Sequence, residues 1–178
     1  MKKLTLIIAA IALFTVGANA QETFQQGTKL LKATLSFNSN GFPLGVSYEK
    51  GIKNNVFDVE KLNLGLGAYF GYYGYSTTAS NFGGTSKSSF KIIAPGVNSY
   101  LHYQLMPKLD AYLGASLGLT YQRGKTEASG MEDKTENKLK FAWGIAAGLR
   151  YEITSQWGAF IEGGHGTGNC TLGVAYKF

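Results

Sequence analysis

The chain has 178 residues, enough for one domain, with 24 Gly, 11 Tyr, 11 Phe, only 16% charged side chains and a formal charge of +6. Low charge with many aromatics excludes a disordered chain, and Gly with aromatics argues against a helical one, because both are poor helix formers. The same residues suit strands. The weakly basic balance contains no cluster of cations interleaved with aromatics, so no nucleic-acid partner is expected.

Residues 1–20 read as a secretory leader: Lys2 and Lys3 open it, residues 4–16 are apolar, and Ala18-Asn19-Ala20 is a small-x-small cleavage motif. Cleavage between Ala20 and Gln21 would leave a single domain over residues 21–178. The apolar run is shorter than the ~20 residues a spanning helix needs. Cys170 is the only cysteine, so no internal disulfide is available even in an oxidising compartment.

After a polar lead over residues 21–27, a first strand is expected over 28–37. Leu31, Ala33, Leu35 and Phe37 share one face, and Lys32, Thr34 and Ser36 the other. Residues 38–41, rich in Asn and Gly, make a turn. A second strand over 43–51 alternates Leu44, Val46 and Tyr48 with Gly45, Ser47 and Glu49. Residues 52–60 connect it to a long third strand, 61–76. There an aliphatic face opposes Gly67, Tyr69, Gly71, Tyr73 and Tyr75.

A Gly/Ser/Thr loop is read over 77–88. The fourth strand, 89–105, shifts phase between Phe90 and Ile92 on one side and Val97, Leu101, Tyr103 and Leu105 on the other, so Pro95-Gly96 predicts a β-bulge. A tight turn with Pro107 leads to a fifth strand, 109–123, and a charged loop over 124–136 to a sixth, 137–153. In the sixth, Leu139, Phe141, Trp143 and Ile145 alternate with Lys138, Lys140, Ala142 and Gly144. A turn over 154–156 precedes the seventh strand, 157–164. The eighth, 170–178, alternates Leu172, Val174, Tyr176 and Phe178 with Gly173, Ala175 and Lys177.

Eight strands in succession with short connections imply antiparallel neighbours and an up-and-down meander, which loses its edges only by closing into a barrel. One face is apolar. The other carries Gly, Ala, Ser, Thr and Tyr, too little charge for a water-facing exterior but small enough for the interior of a narrow barrel. The apolar face therefore points outward into lipid, where Lys or Arg at the midplane would cost about 2–4 kcal/mol.

The leader, the eight alternating strands and the aromatic strand ending in Tyr176 and Phe178 resemble the small OmpX/OmpW/opacity-type outer-membrane β-barrel family. The resemblance implies an all-β, eight-stranded antiparallel transmembrane barrel in the bacterial outer membrane. It also implies a C-terminal assembly signal at Tyr176 and Phe178, read by the barrel assembly machinery. Outer-membrane lipid and lipopolysaccharide become its surroundings, and a monomer is expected. The family is associated with adhesion, host contact, membrane integrity and passage of small apolar compounds, and it brings no catalytic motif. Neither an enzyme nor a cofactor is expected.

With the N-terminus in the periplasm, residues 38–41, 77–88, 124–136 and 165–169 become extracellular loops. Residues 52–60, 106–108 and 154–156 become periplasmic turns. Strands three to six exceed the ~9–11 residues needed to span, so they should rise outside as a sheet with free edges that bind a protein or surface polymer. Tyr73, Tyr75, Lys91, Arg123, Lys138 and Lys140 are its candidate contact residues. Inside, Lys32, Glu49, Asp110, Arg150, Glu152, Glu162 and Lys177 must find partners, because an unpaired buried charge costs several kcal/mol. They are expected to form a network that plugs the lumen, centred on Glu49, Arg150 and Glu162.

Two alternatives are weaker. An OmpW-like conduit for small hydrophobic molecules would use the Gly- and Tyr-rich face of strand three. A lipid A-modifying enzyme would use His165, but no Ser and carboxylate complete a triad beside it. His165 with Cys170 offers two metal ligands where three or four are usual, so no metal site is expected. His102 is read as a hydrogen-bonded lumen residue.

Overall fold

A computed structural model describes residues 23–38, 41–81, 84–128, 134–166 and 168–178. The leader and its cut at Ala20 and Gln21 lie outside the described residues. Eight strands follow in chain order: β1 (Lys29–Phe37), β2 (Leu44–Lys53), β3 (Leu62–Asn81), β4 (Gly84–Met106), β5 (Leu109–Ala128), β6 (Lys134–Glu152), β7 (Trp157–His165) and β8 (Cys170–Lys177). Each pairs antiparallel with the next, and β1 with β8, from Leu30↔Lys177 to Phe37↔Cys170, closes the barrel.

Alternation decides which face is which. Even positions of β1, β4, β5, β6 and β7 and odd positions of β2, β3 and β8 turn inward, where Lys32, Glu49, Asn98, His102, Asp110 and Arg150 are buried. Leu35, Val46, Phe70, Val97, Leu117 and Trp143 are exposed on the outside. Buried charge within and apolar surface without is the inverse of a water-soluble protein, and it requires lipid around the barrel. On β4 the outward run from Tyr103 to Ile93, interrupted only by Ser99, covers about ten residues or roughly 34 Å of strand. At a ~40° tilt that is ~26 Å along the axis, the height of an outer-membrane apolar band.

Three expectations need correction. First, no bulge occurs at Pro95-Gly96: β3 and β4 stay in one register from Leu62↔Tyr103 to Asn81↔Gly84, passing through Phe70↔Pro95. The ladder towards β5 lapses at Ala94 and Pro95 and resumes at Gly96↔Gly118 in the same register. Proline removes one N–H but inserts no extra residue. Phe90 and Ile92 consequently face inward with Gly96 and Asn98. The register shifts instead near the turns, between Gly51 and Lys53 and between Gln104 and Met106.

Second, residues 77–88 are mostly strand, since β3 runs to Asn81 and β4 starts at Gly84. Third, β5 continues to Ala128 and β6 begins at Lys134, inside the expected 124–136 loop. Ser and Thr read as loop formers, yet here they pair across strands, as Ser88 does with Thr126 at 3.2 Å. Ladder partners satisfy the backbone, so the strands persist beyond the membrane.

Candidate functional site

The lumen is organised around a chain of alternating charges. Lys32 Nζ on β1 lies 2.6 Å from Glu49 Oε2 on β2, and Glu49 Oε1 lies 2.7 Å from His102 Nε2 on β4. His102 Nδ1 lies 2.6 Å from Asp110 Oδ2, and Arg150 Nε donates to Asp110 Oδ1 at 2.9 Å. Both imidazole nitrogens therefore face a carboxylate, the arrangement that a doubly protonated ring satisfies. Lys32, Glu49, His102, Asp110 and Arg150 are all at most 3% exposed. Each charge has an opposite neighbour, which offsets a desolvation cost of several kcal/mol per ion.

Glycine and aromatic residues share out the remaining space. Tyr69 covers Gly96 and Gly118, Tyr100 covers Gly114, Tyr112 covers Gly148, and Phe160 covers Gly173. A large ring on one strand fills the volume a missing Cβ leaves on another, which packs a narrow barrel without a bore. Lys32 Nζ sits 4.0 Å from the centre of the Tyr100 ring, so its charge is also met by a π face. On the hairpin side of the charges, a cavity of about 110 Å³ remains, lined in part by Ser36, Ser47, Asn98, Ser116 and Glu162.

The turn end is closed by the segment ahead of β1, which the sequence suggested was only a polar lead. Thr23 and Phe24 are 1% and 2% exposed. The Phe24 ring stacks on His102 with centroids 4.0 Å apart. The Phe24 carbonyl accepts from Asn63 Nδ2 at 2.6 Å, and that of Thr23 from Arg150 Nη2 at 3.1 Å. A lone aromatic among Gln, Thr and Gly was the only sign of this role.

At the other end, β3 to β6 outrun their neighbours. The pairing of β2 with β3 ends at Leu44↔Tyr72, and that of β6 with β7 at Ile145↔His165. Beyond these pairs β3 continues to Asn81, and β6 comes down from Lys134, each with one edge lacking a neighbouring strand among the described residues. On the inner face Tyr75 stacks on Phe90 at 4.8 Å and on Tyr73 at 6.3 Å.

Most of the sequence-selected lumen residues meet partners, but not as one cluster. Lys32, Glu49 and Arg150 belong to the charge chain, whose middle is His102 and Asp110. Glu162 accepts the Tyr112 hydroxyl at 2.9 Å, within electrostatic reach of Lys32 but outside the hydrogen-bonded chain, and Glu152 holds Lys177 at 2.6 Å. The centring on Glu162 is thus corrected. The six candidate surface residues also divide: Tyr73, Tyr75, Lys138 and Lys140 lie on inward positions of the raised sheet, whereas Lys91 and Arg123 lie on outward ones. Tyr176 and Phe178 sit on the outside near the turn end, where Tyr176 packs on Trp157 at 5.0 Å. The His165 ring lies 5.0 Å from Trp143. Among the described residues, no group of three His, Cys, Asp or Glu side chains is placed to hold a metal.

No protein-family model and no curated protein matches the chain. Solved structures do. The N-terminal β-barrel domain of OprF from Pseudomonas aeruginosa aligns over 86% of this chain and 98% of its own at 19% identity and a TM-score of 0.55. A major outer membrane protein from Thermus thermophilus aligns over 85% and 99% at 10% identity, with a TM-score of 0.60. Ail, the attachment invasion locus protein of Yersinia pestis, solved with the heparin analogue sucrose octasulfate, aligns over 86% and 100% at 11% identity, with a TM-score of 0.53. With its apolar outer belt and ring of antiparallel strands, this chain is an eight-stranded transmembrane β-barrel with the fold of the small bacterial outer-membrane proteins.

Proposed function

We propose that this chain is an integral outer-membrane protein with a closed lumen, acting as a monomer through the sheet that β3 to β6 raise outside the cell. The observation that carries this reading is the pair of sheet edges without a neighbouring strand among the described residues, β3 beyond Tyr72 and β6 ahead of Ile145. Free edges offer a row of backbone donors and acceptors to an incoming strand. The ends of β3 to β6 that outrun their neighbours fit the outside, and the connections of β2 to β3, β4 to β5 and β6 to β7, at the opposite end of the barrel, fit the periplasmic side. In this reading Tyr176 and Phe178 serve the assembly machinery. Ail, by its name an attachment protein, offers a fold-level parallel.

The lumen supports a structural role: ion pairs, ring-over-glycine packing and Phe24 leave little path for solute. Cells displaying the chain should adhere to immobilised host proteins or polymers, and shortening both raised hairpins to the level of Tyr72 and Ile145 should abolish that adhesion. Unchanged adhesion by the shortened barrel rejects the proposal. The purified protein should show heat-modifiable gel mobility without steady conductance in planar bilayers, and a steady current would make it a channel.

A further inference from the structure

Lys91 on β4 and Arg123 on β5 are direct register partners on the outer face of the raised sheet. Like charges directly opposite one another destabilise a sheet, so the pair calls for an anion. Among the described residues none is supplied from within. Among the described acids of the raised sheet, Glu127 pairs with Lys125 at 2.7 Å, and Glu136 is shared by Lys134 and Lys138 on the opposite face. The flanking positions in the same rank are Gly74 on β3 and Asn137 on β6. Gly74 presents no side chain, and Asn137 is neutral.

The height of the pair matters. The rank immediately below is Tyr72, Ile93, Tyr121 and Leu139, the upper rim of the apolar belt. One rank is two residues, so at the barrel tilt the cations sit ~5 Å above the hydrocarbon edge, level with lipid head groups. They point outward, towards lipid rather than solvent partners.

We propose that Lys91 and Arg123 clamp a phosphate of a phosphorylated glycolipid of the lipid A type in the outer leaflet. A bis-phosphorylated sugar matches two adjacent cations, and Arg can bind phosphate through two parallel N–H donors. A zwitterionic phospholipid would bring an ammonium against the same pair. The inference rests on the outer-membrane placement proposed above but not on adhesion, and its test uses only purified barrel and lipid.

The full barrel in zwitterionic detergent is titrated with bis-phosphorylated lipid A, with dephosphorylated lipid A and with phosphatidylglycerol, and retained lipid is read by native mass spectrometry. Bis-phosphorylated lipid A should be retained about tenfold more strongly than either of the others. K91Q/R123Q should lose that preference, while K138Q/K140Q, which removes the same charge from the inner face, should keep it. Equal retention of the dephosphorylated form, equal retention of phosphatidylglycerol, or equal loss in the inner-face variant overturns the proposal. Lipid-free K91Q/R123Q should unfold at higher urea than wild type, because a repulsion is removed, and a lower midpoint overturns the claim that the pair lacks an internal partner.

Discussion

Glu49 on β2 reaches His102 on β4 across an intervening strand, Oε1 to Nε2 at 2.7 Å, and it does so over Gly65 of β3. A Cβ at position 65 would collide with Glu49 Oε1 and with the Phe24 ring. The glycine is therefore the gap through which the lumen charges connect. Gly65→Ala should lower stability by about 1–3 kcal/mol, the usual cost of overpacking a filled interior. Urea unfolding followed by gel mobility checks it.

The Lys32–Glu49 pair makes a sharper distinction. Glu49→Gln strips Lys32 and His102 of their shared anion and should cost about 3–5 kcal/mol, whereas Lys32→Met with Glu49→Met should cost less than the sum of the single changes. A double-mutant cycle on the unfolding midpoint measures the coupling.

Phe24→Ala should act locally. The segment ahead of β1 is held by Gly27 N–H donating to the Gly51 carbonyl at 2.9 Å and by the buried Phe24 ring. Losing the ring removes about 3 kcal/mol, but the barrel ladder is untouched. The expected result is amide exchange at Gly27 roughly a hundredfold faster, with exchange in the β1–β8 ladder unchanged.

On the raised sheet, hydrogen bonds from Lys134 and Lys138 hold the Glu136 carboxyl below its ordinary value. A depressed folded value means the stabilisation is present above the unfolded value, ~4.3, and is lost as pH falls through the folded one. Carboxyl NMR should give Glu136 a midpoint below ~4.3, and Lys138→Gln should move it upward.

What the sequence determined by itself was face and number. A period of two is local, so Lys32, Glu49, Asp110 and Arg150 could be assigned to the interior, and Leu35, Val46 and Trp143 to lipid, before any pairing was known. Eight alternating segments with short connections then allowed only a closed antiparallel ring. The tertiary structure decided register and phase, which depend on partners distant in the chain. Pairing with β3 carried β4 through Pro95 without a shift, so Phe90 turned inward to stack on Tyr75, and Lys91 turned outward to face Arg123. Register also placed His102 between Glu49 and Asp110, and it gave the Ser/Thr stretches the ladder partners that made them strand. The docking of Phe24 belonged to closure alone, because the cavity it fills exists only once β1 and β8 have met.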